Sequence, residues 1–151
     1  MKENFEYLKD ELKNNNIRLS HQRLKVLEYL SKNKSHPTVD EIYNNLKEEV
    51  PTLSKTTIYN TLNTLVEVSL VKIINIEDKE ARYDADVADH GHFKCTSCET
   101  VFDFNLNFDS ILPQGLDDFK VENKDIYFKG LCPSCKHKKT NKIQEEIYNG
   151  E

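Results

Sequence analysis

Apolar residues recur at helical spacing through the first half of the chain. Phe5, Leu8 and Leu12 fall at i, i+3 and i+7, in a segment that ends at Asn14-Asn15-Asn16. Ser20 is placed to cap a second helix whose Leu24, Leu27 and Leu30 share one face and which stops near Asn33. Thr38 with Glu41 three residues on reads as a capping box, with Ile42 and Leu46 pointing inward. Pro51 ends that helix, and Ser54 caps a fourth through about Val68. The period then changes. Residues 71–76 and Arg82-Tyr83-Asp84, joined by a polar link over 77–80, predict a two-stranded hairpin. Beyond it, 93–95, 101–106 and 125–128 are short strand candidates, 109–116 a turn or two of helix, and 140–148 a terminal helix.

Several short helices followed by a hairpin resemble a winged helix-turn-helix, and the fourth helix supports that reading. On a helical wheel Ile58, Leu62 and Leu65 cluster on one side. Thr56, Asn60 and Asn63 lie roughly opposite, with Thr57 and Tyr59 on the flanks. That outward face is polar yet almost uncharged. An ordinary solvated helix carries Lys and Glu there, whereas hydroxyls and carboxamides can reach base edges and phosphates.

Composition adds a constraint. Apolar residues make up 37% of the 151 and charged residues 31%, against about 45–50% and 25% in a typical soluble domain. A core this thin calls for a metal, a partner subunit or both. No apolar run approaches the roughly 20 residues that span a bilayer. Lys2, Glu3, Glu6, Lys9, Asp10 and Glu11 break up any export signal, so the expected location is the cytoplasm, with no membrane partner. The net charge of −5 argues weakly against nucleic acid. Within 13–36, however, Lys13, Arg18, Arg23, Lys25, Lys32 and Lys34 stand against Glu28 alone. A local basic stripe can meet phosphates on an acidic protein.

All four cysteines fall in two knuckles, Cys95-Thr-Ser-Cys98 and Cys132-Pro-Ser-Cys135. In a reducing compartment such pairs more often hold metal than form disulfides. Two knuckles complete a tetrahedral S₄ site with no open position, which is a structural Zn²⁺. A second constellation is separate. His90-Gly-His92 puts two imidazoles on one side of an extended segment. Asp84, Asp86 and Asp89 precede it, Asp103 lies on the next strand candidate, and His36 sits before Pro37. Imidazole with carboxylate suits Fe²⁺, Mn²⁺ or Zn²⁺.

Leu19-Ser-His-Gln-Arg23, His36-Pro-Thr38, residues 56–62, Arg82-Tyr-Asp84, Asp89-His-Gly-His92 and the two knuckles together resemble the ferric uptake regulator family of bacterial metal-dependent repressors. The resemblance implies an α+β fold, with an N-terminal winged helix-turn-helix domain and a small α/β dimerisation domain carrying the four-cysteine zinc site. The corresponding division is 1–80, a hinge at 81–88, and 89–151. It gives structural zinc to Cys95, Cys98, Cys132 and Cys135. It gives a sensing Fe²⁺ or Mn²⁺ to His36, Asp84, His90, His92 and Asp103. The expected DNA contacts are Arg18, Arg23, Ser54, Thr56, Thr57, Tyr59, Asn60 and Asn63. The Asp pair at 84 and 103 is similar to the family's peroxide-stress branch, in which peroxide leads to oxidation of a ligand histidine; His36 and His90 are the candidates here. The implied protein is a homodimeric repressor on a palindromic double-stranded operator, with no enzymatic activity and no small organic substrate. Two alternatives remain: a sensor of iron or manganese concentration, and a hydrolytic metalloenzyme using His90, His92 and Asp103.

Overall fold

The computed structural model describes residues 2–77, 79–111 and 113–148. The chain forms two compact units, Met1–Ala88 and Asp89–Glu151. The first holds helices α1 (Lys2–Asn14), α2 (His21–Lys32), α3 (Val39–Leu46) and α4 (Lys55–Glu67), then strands β1 (Lys72–Ile74) and β2 (Arg82–Asp84). Each predicted start is made by the residue that signals it. Ser20 accepts from the Arg23 N–H, and Ser54 from the Thr57 N–H. Thr38 and Glu41 form both halves of the capping box. Two of the ends are left-handed turns. Asn16 at φ 56° and Ser69 at φ 59° follow α1 and α4. The Ile17 N–H returns to the Leu12 carbonyl and the Leu70 N–H to the Leu65 carbonyl.

The inward stripes meet in one core. Leu12, Val26, Ile42, Ile58, Leu62 and Leu65 are fully buried, and Tyr83 joins them from β2. The hairpin pairs antiparallel, with Ile73 opposite Tyr83. Arg82–Asp84 is the second strand of the expected hairpin, and the first unit runs to Ala88. The basic stripe is partly neutralised by folding. Lys25 pairs with Glu28 and with Glu49 from beyond α3, while Lys32 also reaches Glu28.

The second unit holds β3 (Gly91–Cys95), β4 (Val101–Phe104), a 3₁₀ turn at Phe108–Ser110, β5 (Tyr127–Gly130) and α5 (Pro133–Tyr148). β3 lies centrally, antiparallel to β4 and parallel to β5. Of the helix expected over 109–116, that 3₁₀ turn is what forms; Leu112 lies outside the described residues. The terminal helix expected at 140–148 begins instead at Pro133, inside the second knuckle. Proline is favoured in a helix's first turn, and the Lys136 N–H bonds the Cys132 carbonyl to start the ladder.

Register divides the sheet's side chains between two faces. His92 lies opposite Asp103 and Tyr127, so the three share one face. The other carries Phe93, Phe102, Phe104 and Phe128. Gly91 makes the second arrangement possible. A Cβ there would sit 2.2 Å from the Phe104 ring. Without one, the ring crosses the central strand and stacks on Phe128, with centroids 5.2 Å apart.

Gly91→Ala should therefore destabilise the protein by about 1–3 kcal/mol, the usual cost of overpacking. Urea unfolding of the zinc-loaded protein should show a lower midpoint, and adding Phe104→Leu should restore part of the loss. An unchanged midpoint would mean that the ring does not depend on the missing side chain.

Candidate functional site

The four cysteines converge in the second unit. Cys95 ends β3, Cys98 follows in a tight turn, Cys132 sits after β5, and Cys135 lies in the first turn of α5. Their Sγ atoms all lie within 4.8 Å of one another, with Cys98 and Cys132 at 3.9 Å. The first knuckle is shaped by backbone. The Glu99 N–H bonds the Cys95 carbonyl at 2.9 Å, and Glu99 takes the left-handed conformation at φ 62°. The Cys132 N–H donates to Cys95 Sγ at 3.3 Å. That donor, with others in the turn, holds the Cys95 thiol down at about 6, whereas the neighbouring Cys132 thiol pushes Cys135 up to about 11. Such a set shares its protons unevenly until a cation replaces them. Four thiolates with no open position fit tetrahedral Zn²⁺.

A second donor set lies on the histidine face of the same sheet. Asp103 Oδ1 stands 3.4 Å from His90 Nε2 and 3.5 Å from His92 Nε2. The imidazoles meet edge to face, with centroids 4.5 Å apart. Two ring nitrogens and one carboxylate oxygen form a triangular face suited to Fe²⁺ or Mn²⁺. Tyr127, which the sequence did not single out, packs beside His92 with ring centroids 6.0 Å apart. Strand alternation from Tyr127 to Phe128 was the available signal. It becomes informative only once β5 is known to pair with β3.

The first unit contributes a pair of its own. His36 Nε2 lies 3.4 Å from Asp84 Oδ2, and both residues are buried. Asp84 Oδ1 accepts the Asp86 N–H at 2.8 Å, which fixes the carboxylate plane. His36 has φ 53°, a left-handed conformation that bulky residues rarely adopt. It is held there by β2. Arg82 donates to the His36 carbonyl at 3.1 Å, and the Tyr83 N–H bonds the Pro37 carbonyl. Strain retained in this way is characteristic of functional positions.

Along α4, Thr56, Tyr59, Asn60 and Asn63 are exposed and Thr57 is half-buried. Ser54 is occupied as the cap. Arg23 donates to the Arg18 carbonyl, tying together the two arginines of the basic stripe. A cleft of about 560 Å³ runs beside α4, lined by Thr56, Tyr59, Asn60, Tyr83 and two lysines, Lys55 and Lys79. The sequence reading had left both lysines aside. Lys55 pairs with Asp40 at 2.8 Å.

The family model for the ferric uptake regulator family matches residues 14–129. A peroxide-responsive repressor PerR of Staphylococcus saprophyticus is 35% identical over 130 residues, covering 84% of this chain and 88% of that protein. The solved PerR of Streptococcus pyogenes is 27% identical, with a TM-score of 0.51 over 87% of this chain and 92% of its own. The ferric uptake regulator of Francisella tularensis, solved with iron, shares 20% identity and a TM-score of 0.68 over 80% of this chain and 95% of its own.

The thiolate cluster makes a direct prediction. Cys98→Ser should lose tightly bound zinc and unfold at a lower temperature, since metal binding energy at a closed site is folding energy. Elemental analysis and a melting curve on the purified protein check it. One zinc retained per chain at unchanged stability would defeat the assignment.

Proposed function

The chain belongs to the ferric uptake regulator family, and we propose that it is a DNA-binding repressor that responds to peroxide through bound Fe²⁺. The observation that carries the reading is the triangle of His90, His92 and Asp103, whose short carboxylate reaches both imidazoles at once. A relative named as peroxide-responsive, 35% identical over most of the chain, supports the branch. The hydrolytic alternative is set aside, because members of this family are transcriptional regulators and not enzymes.

In this reading the sensing metal takes His36 and Asp84 from the first unit and His90, His92 and Asp103 from the second. Each part is too poor in donors to complete a coordination shell by itself. Metal therefore favours whichever arrangement of the chain supplies both parts, which is the condition for a ligand to shift a conformational equilibrium. Zinc on the four cysteines keeps the second unit folded throughout. When bound, Fe²⁺ supplies the electron that activates peroxide, and Mn²⁺ does so far less readily. The chain's part is to hold His36 and His90 where an oxidant produced at the metal meets them first. Oxidation of either one removes a ligand nitrogen and releases both metal and DNA.

The first unit reads the operator with the outward face of α4: Thr56, Thr57, Tyr59, Asn60 and Asn63. Arg18, Arg23 and Ser54 lie toward the phosphates. The second unit dimerises, and the exposed rings of Phe102 and Phe128 on the aromatic sheet face supply apolar surface for a partner. A two-fold dimer then presents two copies of α4 to a palindromic site. Among the described residues no helix is long and apolar enough to cross a membrane, in keeping with a repressor working in the cytoplasm.

Two tests follow from this reading. Tyr59→Ala and Asn60→Ala should each weaken operator binding by about 1–3 kcal/mol while leaving metal content unchanged. Equal affinity in gel shifts would place the reading surface elsewhere. For the sensing step, gel shifts on Fe²⁺- and Mn²⁺-loaded protein should both show DNA binding. Low-dose peroxide should abolish it in the Fe²⁺ form alone, with one oxygen gained at His36 or His90. Equal loss in both forms, with oxidation confined to cysteines, would overturn the iron-centred reading in favour of thiol chemistry.

A further inference from the structure

Of the chain's seven tyrosines, Tyr127 lies on β5. The parallel register of β3 and β5 sets Tyr127 directly opposite His92. Strand alternation puts its side chain on the face that carries His90, His92 and Asp103. The Tyr127 and His92 rings are 6.0 Å apart between centroids and tilted by 49°, within the range of an aromatic pair in contact. Its chain neighbour Phe128 points to the opposite face, where it stacks on Phe104. Thus an electron-rich phenol lies against a candidate ligand imidazole, and the next aromatic ring in sequence is screened from it by the sheet.

We propose that Tyr127 is a second oxidation site of the sensor, competing with the histidines for the oxidant that peroxide generates there. The proposal rests on the peroxide reading above. A phenol ring is more easily oxidised than an imidazole. A strong oxidant reacts with whatever aromatic carbon it meets first, so position decides the outcome more than intrinsic reactivity. The net step inserts one peroxide oxygen into a ring C–H bond and makes a catechol. The other oxygen leaves as water, taking one hydrogen from peroxide and the equivalent of the ring hydrogen. The ring loses two electrons, peroxide gains them, and Fe²⁺ ends as it began. Each peroxide spent in this way is one that leaves His36 and His90 intact. Tyr127 thereby sets the dose at which the repressor lets go.

Internal controls are built into the chain. Tyr7 is 60% exposed and Tyr59 53%, both in the first unit, and Phe128 is 56% exposed on the sheet face opposite the histidines. Tyr127 is half-buried, less accessible than these. A freely diffusing oxidant marks the exposed rings first; one produced beside His92 marks Tyr127.

The test uses full-length zinc-containing protein loaded anaerobically with Fe²⁺, treated with substoichiometric hydrogen peroxide, digested with trypsin and sequenced by mass spectrometry. Expected are one oxygen gained at Tyr127 in the peptide Asp125–Lys129, a positive catechol stain on that peptide, and neither result with Mn²⁺. Two targets with similar barriers share an oxidant about equally, so Tyr127→Leu should roughly double the oxidised-histidine fraction and roughly halve the peroxide needed to lose DNA binding. Retained Mn²⁺-dependent DNA binding checks that this variant folds. If it does not fold, Tyr127→Val, which suits a strand and offers no aromatic carbon, carries the same comparison. Oxidised histidines beside an unmodified Tyr127, or labelling of Phe128, Tyr7 or Tyr59 equal to that of Tyr127, overturns this proposal and leaves the peroxide reading standing. Failure of both the histidines and Tyr127 to gain oxygen overturns both.

Discussion

Four thiolates within 4.8 Å of one another cannot all be anions without a cation among them. Protons therefore stay on some sulfurs: hydrogen bonds from the Cys132 N–H and the turn hold the Cys95 thiol low, while the Cys132 thiol pushes Cys135 up. A zinc ion turns this liability into the main internal contact of the second unit. The cluster ties the end of β3 and the turn after it to the segment leaving β5 and the start of α5. Among the described residues the unit's other buried groups are Gly91 and His92, which lie on β3 itself, and Val101 on the neighbouring β4. The strand that offers His92 is thus anchored at its far end by Cys95, and the geometry of one metal site depends on the integrity of the other.

The His36–Asp84 pair shows the same economy. A left-handed histidine ahead of a proline is unfavourable, yet it is held by bonds from β2 to the carbonyls of residues 36 and 37. Because Asp84 ends that strand, the bonds that strain the histidine also position its carboxylate partner. A metal that takes both gains two donors already oriented by the hairpin. Little ordering then remains to oppose binding, and more of the metal's affinity is available to select a conformation.

Helix caps and cysteine spacing, signals carried by a few neighbouring residues, were legible in the sequence. Ser20, Thr38 and Ser54 cap the helices they were expected to cap. The spacing of the cysteines foretold their convergence. Signals depending on partners distant in the chain were lost. The basic stripe looked like +5 in sequence, but Lys25 finds Glu49 as well as Glu28. The start of α5 was hidden because a Cys-Pro-Ser-Cys knuckle reads as a loop, although its proline occupies a position that helices favour. Tyr127 could not be singled out until the parallel pairing of β5 with β3 set it opposite His92.

Side-chain length is the remaining constraint on the sensing chemistry proposed above. One oxygen of Asp103 lies almost equally far from two imidazole nitrogens. The strand register fixes its Cα directly opposite that of His92. A glutamate there would add one carbon–carbon bond, about 1.5 Å of reach. It would have to fold back to keep the same oxygen in place, or advance and present both oxygens. The second outcome adds a donor to the metal and occupies a position that peroxide would otherwise use. Asp103 meets both imidazoles through its Oδ1, and in the proposed reading its shorter arm would leave that position to the reactant. Under the peroxide reading proposed above, an aspartate at this register would favour a site that reacts over one that only binds.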